Sequence, residues 1–196
     1  MSGQYYDAVP QSASAPGIID IEFNGEKYAF KVDNGVFSKH GLDDGTRIML
    51  KALPTLSGRI LDLGCGWGPV GVILGRTYPN AEIVMADVNT RALTLASENL
   101  ERNRINNAET VVSDVYSGVE GEFDYIITNP PIRAGKQVVY QMLDEAKQRL
   151  SPGGALIAVI RKQQGAESAL KHLAEVYGQA KILDKEKSYW VMEARV

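Results

Sequence analysis

The stretch ILDLGCGWGPVG, residues 60–71, joins an apolar run to a glycine-rich turn. Its first four residues are typical of a buried strand, and its glycines permit a tight turn that leads into a helical pattern from Val70. Gly66 to Gly71 match the spacing G-x-G-x-x-G, which between a strand and a helix binds a nucleotide at the start of the helix. Glycines let the backbone approach any nucleotide, so the turn alone predicts a nucleotide site without choosing the nucleotide.

Carboxylates at the ends of neighbouring strands indicate which nucleotide the turn binds. Asp62 lies beside the turn, where it would repel the pyrophosphate of NAD but attract the ammonium and sulfonium groups of S-adenosylmethionine. Asp87 ends the next strand, near the spacing expected of an acid that accepts the ribose hydroxyls. Asp114 follows the third strand, placed to reach the exocyclic amine of adenine between Val88 and Val115. We therefore predict S-adenosylmethionine as the cofactor, bound by Asp62, Gly64, Cys65, Gly66, Gly68, Asp87, Val88, Asp114, Val115 and Asn129.

From residue 59 onward, short apolar runs alternate with longer amphipathic ones. Strands are predicted at Arg59–Leu63, Glu82–Ala86, Glu109–Ser113, Phe123–Thr128, Ala155–Ile160, Ala180–Leu183 and Tyr189–Ala194. Helices are predicted at Val70–Tyr78, Thr90–Arg104, Lys136–Leu150 and Ala166–Tyr177. This alternation predicts an α/β, Rossmann-like fold, in which helices cover both faces of a mainly parallel seven-stranded sheet.

The N-terminal part of the chain predicts a β-hairpin extension. Ile18–Phe23 and Lys27–Val32 alternate apolar and polar residues on either side of Asn24-Gly25. An Asn-Gly pair between two alternating runs is the strongest short-range signal of a tight hairpin.

A loop and a short helix are predicted between the hairpin and the first strand of the sheet. Val36–Asp43 reads as the loop, and Asp44 or Thr46 is predicted to cap the helix. Because no internal repeat or linker interrupts the pattern, residues 1–196 are predicted to form a single domain, with an extension at 1–57 and a cofactor-binding and catalytic core at 58–196.

The segment TNPP, residues 128–131, leaves the fourth strand in an unusual way. Adjacent prolines fix two φ angles and remove two backbone donors, and the residue before a proline is kept out of the helical region. The Asn129 side chain and the Pro130 carbonyl are therefore fixed acceptors at the sheet edge that also carries the glycine turn. An amine that donates to both acceptors has its lone pair available for methyl transfer, so Asn129, Pro130 and Pro131 are the candidate catalytic residues. The alternative is a stiff strand exit with no chemical role.

Composition limits the class of protein. Hydrophobic residues make up 44% of the chain and charged residues 23%, as in soluble globular proteins. No apolar run reaches the length of about 20 residues that spans a bilayer, and the start of the chain has no targeting pattern, so a cytoplasmic location is expected. Cys65 is the single cysteine, and His40 and His172 stand alone, so neither a disulfide nor a metal site is predicted. A net charge of −3 is not that of a dedicated nucleic-acid binder, although a local basic patch is enough to bind phosphates.

The motifs together resemble those of a known family. DLGCGWG, Asp87, Asp114, NPP and the LSPGG turn at residues 150–154 resemble class I S-adenosylmethionine-dependent methyltransferases over residues 58–196. More narrowly, GVFSKHGLDDGT at 35–46 and NPPIRAGK at 129–136 are similar to the RsmC family. Its best-known members methylate the exocyclic N2 of a guanine in small-subunit ribosomal RNA. RsmC itself resembles two such domains in tandem, whereas this chain has room for the catalytic one.

The resemblance implies an N-methyltransferase whose partner is ribosomal RNA or the small ribosomal subunit particle. In many amino-methyltransferases an aromatic residue follows the two prolines and stacks on a flipped base, but here Ile132 stands in that place and Phe37 is the alternative. Basic residues near the predicted site suit phosphate contacts. The expected substrate-binding residues are Phe37, Lys39, His40, Ile132, Arg133, Lys136, Arg161 and Lys162.

Two other functions fit the same residues. Families with this tetrapeptide also methylate protein glutamine, DNA adenine or small-molecule amines. C5 methylation of pyrimidines is excluded because it needs a cysteine nucleophile after a proline, and this segment reads Asn129-Pro130-Pro131. The third hypothesis is a cofactor-binding RNA assembly factor without turnover. Cofactor binding without transfer of the methyl group to any substrate would favour this last hypothesis.

Overall fold

The structure, a computed structural model, describes residues 15–34 and 41–196 and begins with an antiparallel hairpin. Its strands are β1, Gly17–Phe23, and β2, Glu26–Val32. Asn24 and Gly25 join them with φ angles of 50° and 80°. Two consecutive residues in the left-handed region give the turn whose twist matches a hairpin, so the hairpin prediction is confirmed.

Seven further strands form one sheet. They are β3 at Arg59–Leu63, β4 at Glu82–Asp87, β5 at Ala108–Val112, β6 at Phe123–Thr128, β7 at Leu150–Arg161, β8 at Ala180–Glu186 and β9 at Tyr189–Arg195. Their order is β5-β4-β3-β6-β7-β9-β8, and β9 alone runs antiparallel to its neighbours in this sheet. The chain builds β4 and β5 on one side of β3 and then crosses to β6 on the other. Ligands of open α/β sheets bind at such a reversal of strand order, at the carboxyl ends of the strands.

Helices cover both faces of the sheet. They are α1 at Asp44–Ala52, α2 at Pro69–Thr77, α3 at Thr90–Arg102, α4 at Lys136–Glu145 and α5 at Ala166–Tyr177. Successive strand residues alternate between two cores: Ile60 packs with α1, α2 and α3, whereas Leu61 packs with α4 and α5. This two-sided burial explains the nearly continuous apolar runs of the central strands. Within the described ranges, no helix combines the length and apolarity needed to cross a membrane.

Several element boundaries differ from the sequence prediction, and the start of α1 and the end of α4 show why. The cap of α1 is Asp43, whose Oδ1 accepts the Thr46 backbone N–H at 3.1 Å, rather than Asp44 or Thr46. The predicted helix to Leu150 ends at Glu145, because Leu150 pairs with Phe123 and opens β7. Pairing with β6 thus overrides the helical pattern, and β7 is longer than predicted.

The hairpin is held to the sheet domain by two amide side chains, that of Asn99 in α3 and that of Asn103, the C-cap of this helix. Asn103 exchanges two hydrogen bonds with the Ala29 backbone, at 3.2 and 2.9 Å. Asn99 does the same with the Lys31 backbone, at 2.6 and 2.9 Å, and also donates to the Trp67 carbonyl at 2.8 Å. The two asparagines are four positions apart, so they lie one above the other on a single face of the helix. They pair with the outer edge of β2 as a further strand would.

Candidate active site

A cavity of about 390 Å³ lies at the carboxyl ends of β3, β4 and β6. It is lined by the glycine turn after β3, by residues at the ends of β4 and β5, by Asn129 and Pro131, and by the start of α1. The predicted site residues that line it are Asp62, Gly64, Cys65, Gly66, Asp87, Val88, Asp114, Val115, Asn129 and Pro131. The structure therefore brings together residues from four loops that are far apart in the sequence.

The glycine turn holds backbone close to the cavity. The Gly64 and Cys65 N–H groups both donate to the Ala86 carbonyl, at 2.8 and 3.0 Å, which fixes the turn against β4. At Gly66, φ is +56° and a Cβ would meet no atom within 4 Å, so a ligand can approach the backbone there. At Gly68 a Cβ would lie 2.7 Å from Met85 Cε and 3.1 Å from Ala96 Cα. Gly68 does not line the cavity, and its conformation instead permits close packing of α2 and α3.

Asp62 is a buried carboxylate beneath the turn. Only 3% of the residue is exposed, and its Oδ2 accepts the Gly71 backbone N–H at 3.0 Å. Burial raises the pKa of this carboxyl group to about 7, and Asp87 nearby adds to the effect. A cation in the cavity would stabilise the charged form.

Asp87 joins the turn to the next loop. Its Oδ2 accepts the Gly66 N–H at 2.8 Å and its Oδ1 accepts the Asn89 N–H at 2.9 Å. Each carboxylate oxygen can accept a second hydrogen bond, so both oxygens can also accept hydrogen bonds from the hydroxyl groups of a ligand. Burial raises the pKa of this carboxyl group as well.

The loop after β5 contributes Asp114 and Val115. Asp114 is exposed and lines the cavity. Val115 has a φ of +51°, which is unusual for a β-branched residue and indicates backbone strain. The Ser113 hydroxyl holds this loop by donating to the Val115 carbonyl at 2.7 Å and accepting the Gly118 N–H at 3.0 Å.

Asn129 is held by the start of α1. Its Nδ2 donates to Asp43 Oδ1 at 3.2 Å and to Thr46 Oγ1 at 3.0 Å. Both partners line the cavity, and neither was among the predicted site residues. Thr128, just before it, is fully buried and donates through Oγ1 to the Leu63 carbonyl at 2.8 Å, which ties the strand exit to the glycine turn.

The two prolines differ in position. Pro131 lines the cavity, whereas Pro130 is buried and does not. Ile132 begins a 3₁₀ turn, Ile132–Ala134, and lines a second cavity of about 200 Å³ together with Lys136 and Tyr140. Lys136 Nζ lies 4.8 Å from the centre of the Tyr140 ring. Ile132 and Lys136 are therefore next to the main cavity but do not line it.

The remaining predicted substrate residues fall into two groups. Arg133, Arg161 and Lys162 are exposed at the same edge of the sheet. The Arg161 guanidinium lies 5.7 Å from the Tyr189 ring centre, and Lys162 Nζ is 3.8 Å from Glu167. Phe37, Lys39 and His40 lie outside the described residues.

Cys65 is a small buried wall of the cavity. It is 4% exposed, and burial raises the pKa of its thiol well above the ordinary value. A neutral thiol in this position packs against a ligand and does not act as a nucleophile.

Several residues that line the cavity come from helices and were not predicted from the sequence. Met142 and Val138 come from α4, and Leu42, Asp43 and Thr46 come from the start of α1. The cap pattern at Asp43 was a usable signal for the helix start. Nothing in the local sequence, however, places that helix start against Asn129, which is 86 positions away.

Three relatives show what the chain is similar to. The uncharacterized protein YbxB of Bacillus subtilis is 38% identical over 100% of this chain and 99% of its own length. The ribosomal RNA small subunit methyltransferase C of Pasteurella multocida is 42% identical over 62% of this chain and 38% of its own length. The T. thermophilus 16S rRNA N2 methyltransferase RsmC, solved in complex with AdoMet and guanosine, matches with a TM-score of 0.82 and 29% identity over 95% of this chain and 52% of that chain. This chain thus spans about half, or less, of the two relatives that are named as methyltransferases.

A model of the methyltransferase small domain family matches residues 27–193. The matched range runs from β2 of the hairpin into β9 and contains the glycine turn, the three strand-end acids and the Asn-Pro-Pro segment. The strand order and the cavity at the reversal point are also those expected of the class I fold. The chain therefore belongs to the methyltransferase small domain family.

Proposed function

We propose that this protein transfers a methyl group to the exocyclic N2 of a guanine in small-subunit ribosomal RNA. The observation that carries the proposal is the orientation of the Asn129 side chain. Its NH₂ group donates hydrogen bonds to Asp43 and Thr46 at the start of α1, and its oxygen receives no hydrogen bond from the described residues. An oriented acceptor beside a cavity lined by acids suits an amine on one side and a cationic donor on the other.

S-adenosylmethionine is the cofactor, and when bound it supplies a methyl group carried on a cationic sulfur. The residues of the cavity fit such a ligand for two reasons. The space next to the Gly66 Cα is open, and the carboxyl groups of Asp62 and Asp87, which are shielded from solvent, supply negative charge. Asp62 would attract the cationic end of the ligand, and Asp87 would accept the ribose hydroxyls. Asp114, between Val88 and Val115, would accept the adenine amine.

Asn129 would act on the amine that is methylated. The lone pair of an amine attached to a purine is delocalised into the ring, which makes the nitrogen a poor nucleophile. An amide oxygen that accepts one of its N–H groups favours the tetrahedral geometry in which the lone pair is available, and it stabilises the positive charge that develops on nitrogen. The Pro130 carbonyl is proposed as the second acceptor, and Pro131 as part of the wall that positions the base.

The RNA substrate is proposed from the names of the relatives and from the charges near the site. The curated relative from Pasteurella multocida and the Thermus structure are both named as methyltransferases of small-subunit ribosomal RNA. Arg133, Arg161 and Lys162 are exposed near the exit of β6 and β7, where they suit phosphate contacts. We propose that residues 1–196 act as one catalytic domain, with ribosomal RNA or the small subunit particle as partner in the cytoplasm.

The experiment that tests the substrate class is transfer of tritium from methyl-labelled S-adenosylmethionine in an extract of cells that lack this protein. We expect the label in small-subunit RNA and not in the protein or small-molecule fractions. Label confined to protein would favour the glutamine alternative, and label in small molecules would favour an amine metabolite. Binding of the cofactor without transfer to any fraction would favour the assembly-factor alternative.

A further inference from the structure

Asp43 and Asn129 form a joined pair of polar groups on the wall of the cavity. Asp43 Oδ1 accepts the Thr46 N–H at 3.1 Å, as an N-cap, and also the Asn129 side-chain N–H at 3.2 Å. Both residues line the cavity and both are half-buried. The start of α1 and the exit of β6 therefore present their side chains to the same space.

The carboxylate of Asp43 decides which way the Asn129 amide faces. A carboxylate only accepts hydrogen bonds, so it must face the NH₂ end of the amide, and Thr46 Oγ1 faces the same end at 3.0 Å. The amide oxygen is then turned away from α1. Within residues 15–34 and 41–196, neither that oxygen nor Asp43 Oδ2 receives a hydrogen bond. Among the described residues, Asp43 and Asn129 thus each keep a side-chain oxygen without a hydrogen-bond donor, on two side chains that are hydrogen-bonded to each other at the wall of the cavity.

Two adjacent acceptors distinguish the two purines. The Watson–Crick edge of guanine presents two neighbouring donors, N1–H and the N2 amine, whereas adenine presents an acceptor at N1 beside its N6 amine. A carboxylate accepts strongly from N1–H and repels a ring nitrogen with a lone pair. Single-stranded or flipped bases are read on this edge by such contacts.

We propose that Asp43 is a specificity-determining residue that accepts the N1–H of guanine while Asn129 accepts from the adjacent N2 amine. The assignment rests on the proposed function and adds to it the reason why guanine, and not adenine, is the base. It also gives Asp43 a second role beside capping α1, and the two roles can be separated experimentally.

The variant that separates them is Asp43→Asn. Asparagine caps helices as well as aspartate does, and its oxygen can still accept from Thr46 and Asn129. Its NH₂ group then replaces the free carboxylate oxygen at the cavity. A donor in that position opposes the N1–H of guanine and suits a base with a lone pair at N1.

The test measures binding of two nucleosides to the full chain in the presence of S-adenosylhomocysteine. Guanosine has both donors, whereas 2-aminopurine riboside keeps the amine but has a lone pair at N1. We expect the protein to bind guanosine more tightly by about 10- to 100-fold, the usual effect of a hydrogen bond to a charged group, and Asp43→Asn to reverse the order. Asp43→Ser keeps a cap but is too short to reach the base, so it should lose the preference without reversing it.

The outcomes separate this inference from the function on which it rests. If Asp43→Asn folds and keeps the guanosine preference unchanged, Asp43 is only a helix cap and the assignment is wrong. Equal affinities of the unaltered protein for both nucleosides would also overturn it, even where labelled methyl reaches guanine in ribosomal RNA. If no methyl reaches guanine in RNA and neither nucleoside binds, the proposed function itself fails.

Discussion

At the scale of single residues, Asn129 lines the cavity in which we propose that S-adenosylmethionine binds. Because its oxygen is the proposed acceptor for the amine, Asn129→Ala should lower turnover by about 10²-fold or more, the usual loss when one transition-state partner is removed. Affinity for S-adenosylmethionine should stay within about threefold, since the carboxylates remain. Turnover is measured with RNA and labelled cofactor, and affinity by calorimetry.

Asn106→Ala, at an exposed position, is the matched control. Equal loss of turnover and affinity would mean that Asn129 only supports the cofactor site.

Asp62 should make cofactor binding depend on pH. Burial raises the pKa of its carboxyl group from an ordinary 3.8 to about 7, so in the free protein the group is protonated below that pH. Affinity for S-adenosylmethionine should therefore fall as the pH is lowered from 8 to 6, because the neutral acid no longer attracts the cation. Asp62→Asn should bind weakly with a much flatter profile, measured by calorimetry. A profile of the same slope in both proteins would place the titrating group elsewhere, for example on the cofactor.

The same residue should limit the stability of the cofactor-free protein. A carboxyl group whose pKa is higher in the folded state holds its proton longer than in the unfolded chain, so the free energy of unfolding falls as pH rises from about 4 to about 7. Above pH 7, Asp62→Asn should raise that free energy by more than about 1 kcal/mol. Urea unfolding at pH 5 and pH 8 measures the difference. An equal effect at both values would contradict the charge explanation.

At the scale of elements, the glycine turn should show two separate functions. Gly66→Ala places a methyl group in open space at the cavity, so we expect weaker cofactor binding with a stability cost of about 1 kcal/mol for the positive φ. Gly68→Ala drives a methyl group against Met85 and the Ala96 backbone, so we expect a larger loss of stability. Calorimetry and urea unfolding of both variants test this contrast. The reverse order of effects would mean that the turn is placed differently against α3.

The hairpin should depend on its two asparagine contacts with α3. Asn99 is fully buried and makes three hydrogen bonds, two to Lys31 and one to Trp67, so Asn99→Ala leaves buried backbone groups without partners. We expect a cost of about 2–4 kcal/mol, since each unsatisfied group costs about 1–3 kcal/mol. In this variant, hydrogen exchange of the Lys31 backbone amide should become faster than that of the Lys27 amide. Urea unfolding measures the change in the free energy of unfolding. Unchanged exchange at Lys31 would show that β2 is held by apolar packing alone.

At the scale of the whole molecule, the part of the site that follows from sheet geometry could be predicted from the sequence. Parallel strands end at one edge, so residues at the carboxyl ends of β3, β4 and β5 had to be near neighbours, and Asp62, Asp87 and Asp114 all line the cavity. Asn129 joins them because β6 lies beside β3. The mainly parallel seven-stranded sheet and the covering of both its faces likewise followed from the alternation of apolar and amphipathic segments, whereas the order of the strands is known only from the structure.

What could not be predicted depends on contacts between distant elements. Asp43 reads as a loop residue because its contact with Asn129 exists only after α1 packs beside the exit of β6. The predicted end of α4 was wrong. Leu150 continues the helical spacing of apolar residues, but in the structure it pairs with Phe123 as part of β7. Asn99 and Asn103 read as polar positions of an amphipathic helix, and only the docked hairpin shows what they bind.

The most direct test of the central claim uses purified small ribosomal subunits and their free RNA, both from cells lacking this protein. Each is incubated with the full chain and methyl-labelled S-adenosylmethionine, digested to nucleosides and separated, with Asn129→Ala as the inactive comparison. The account predicts label in N2-methylguanosine from at least one of the two substrates, and about 100-fold less with the variant. Label in another nucleoside, or none in either substrate from a protein that binds the cofactor, would contradict it.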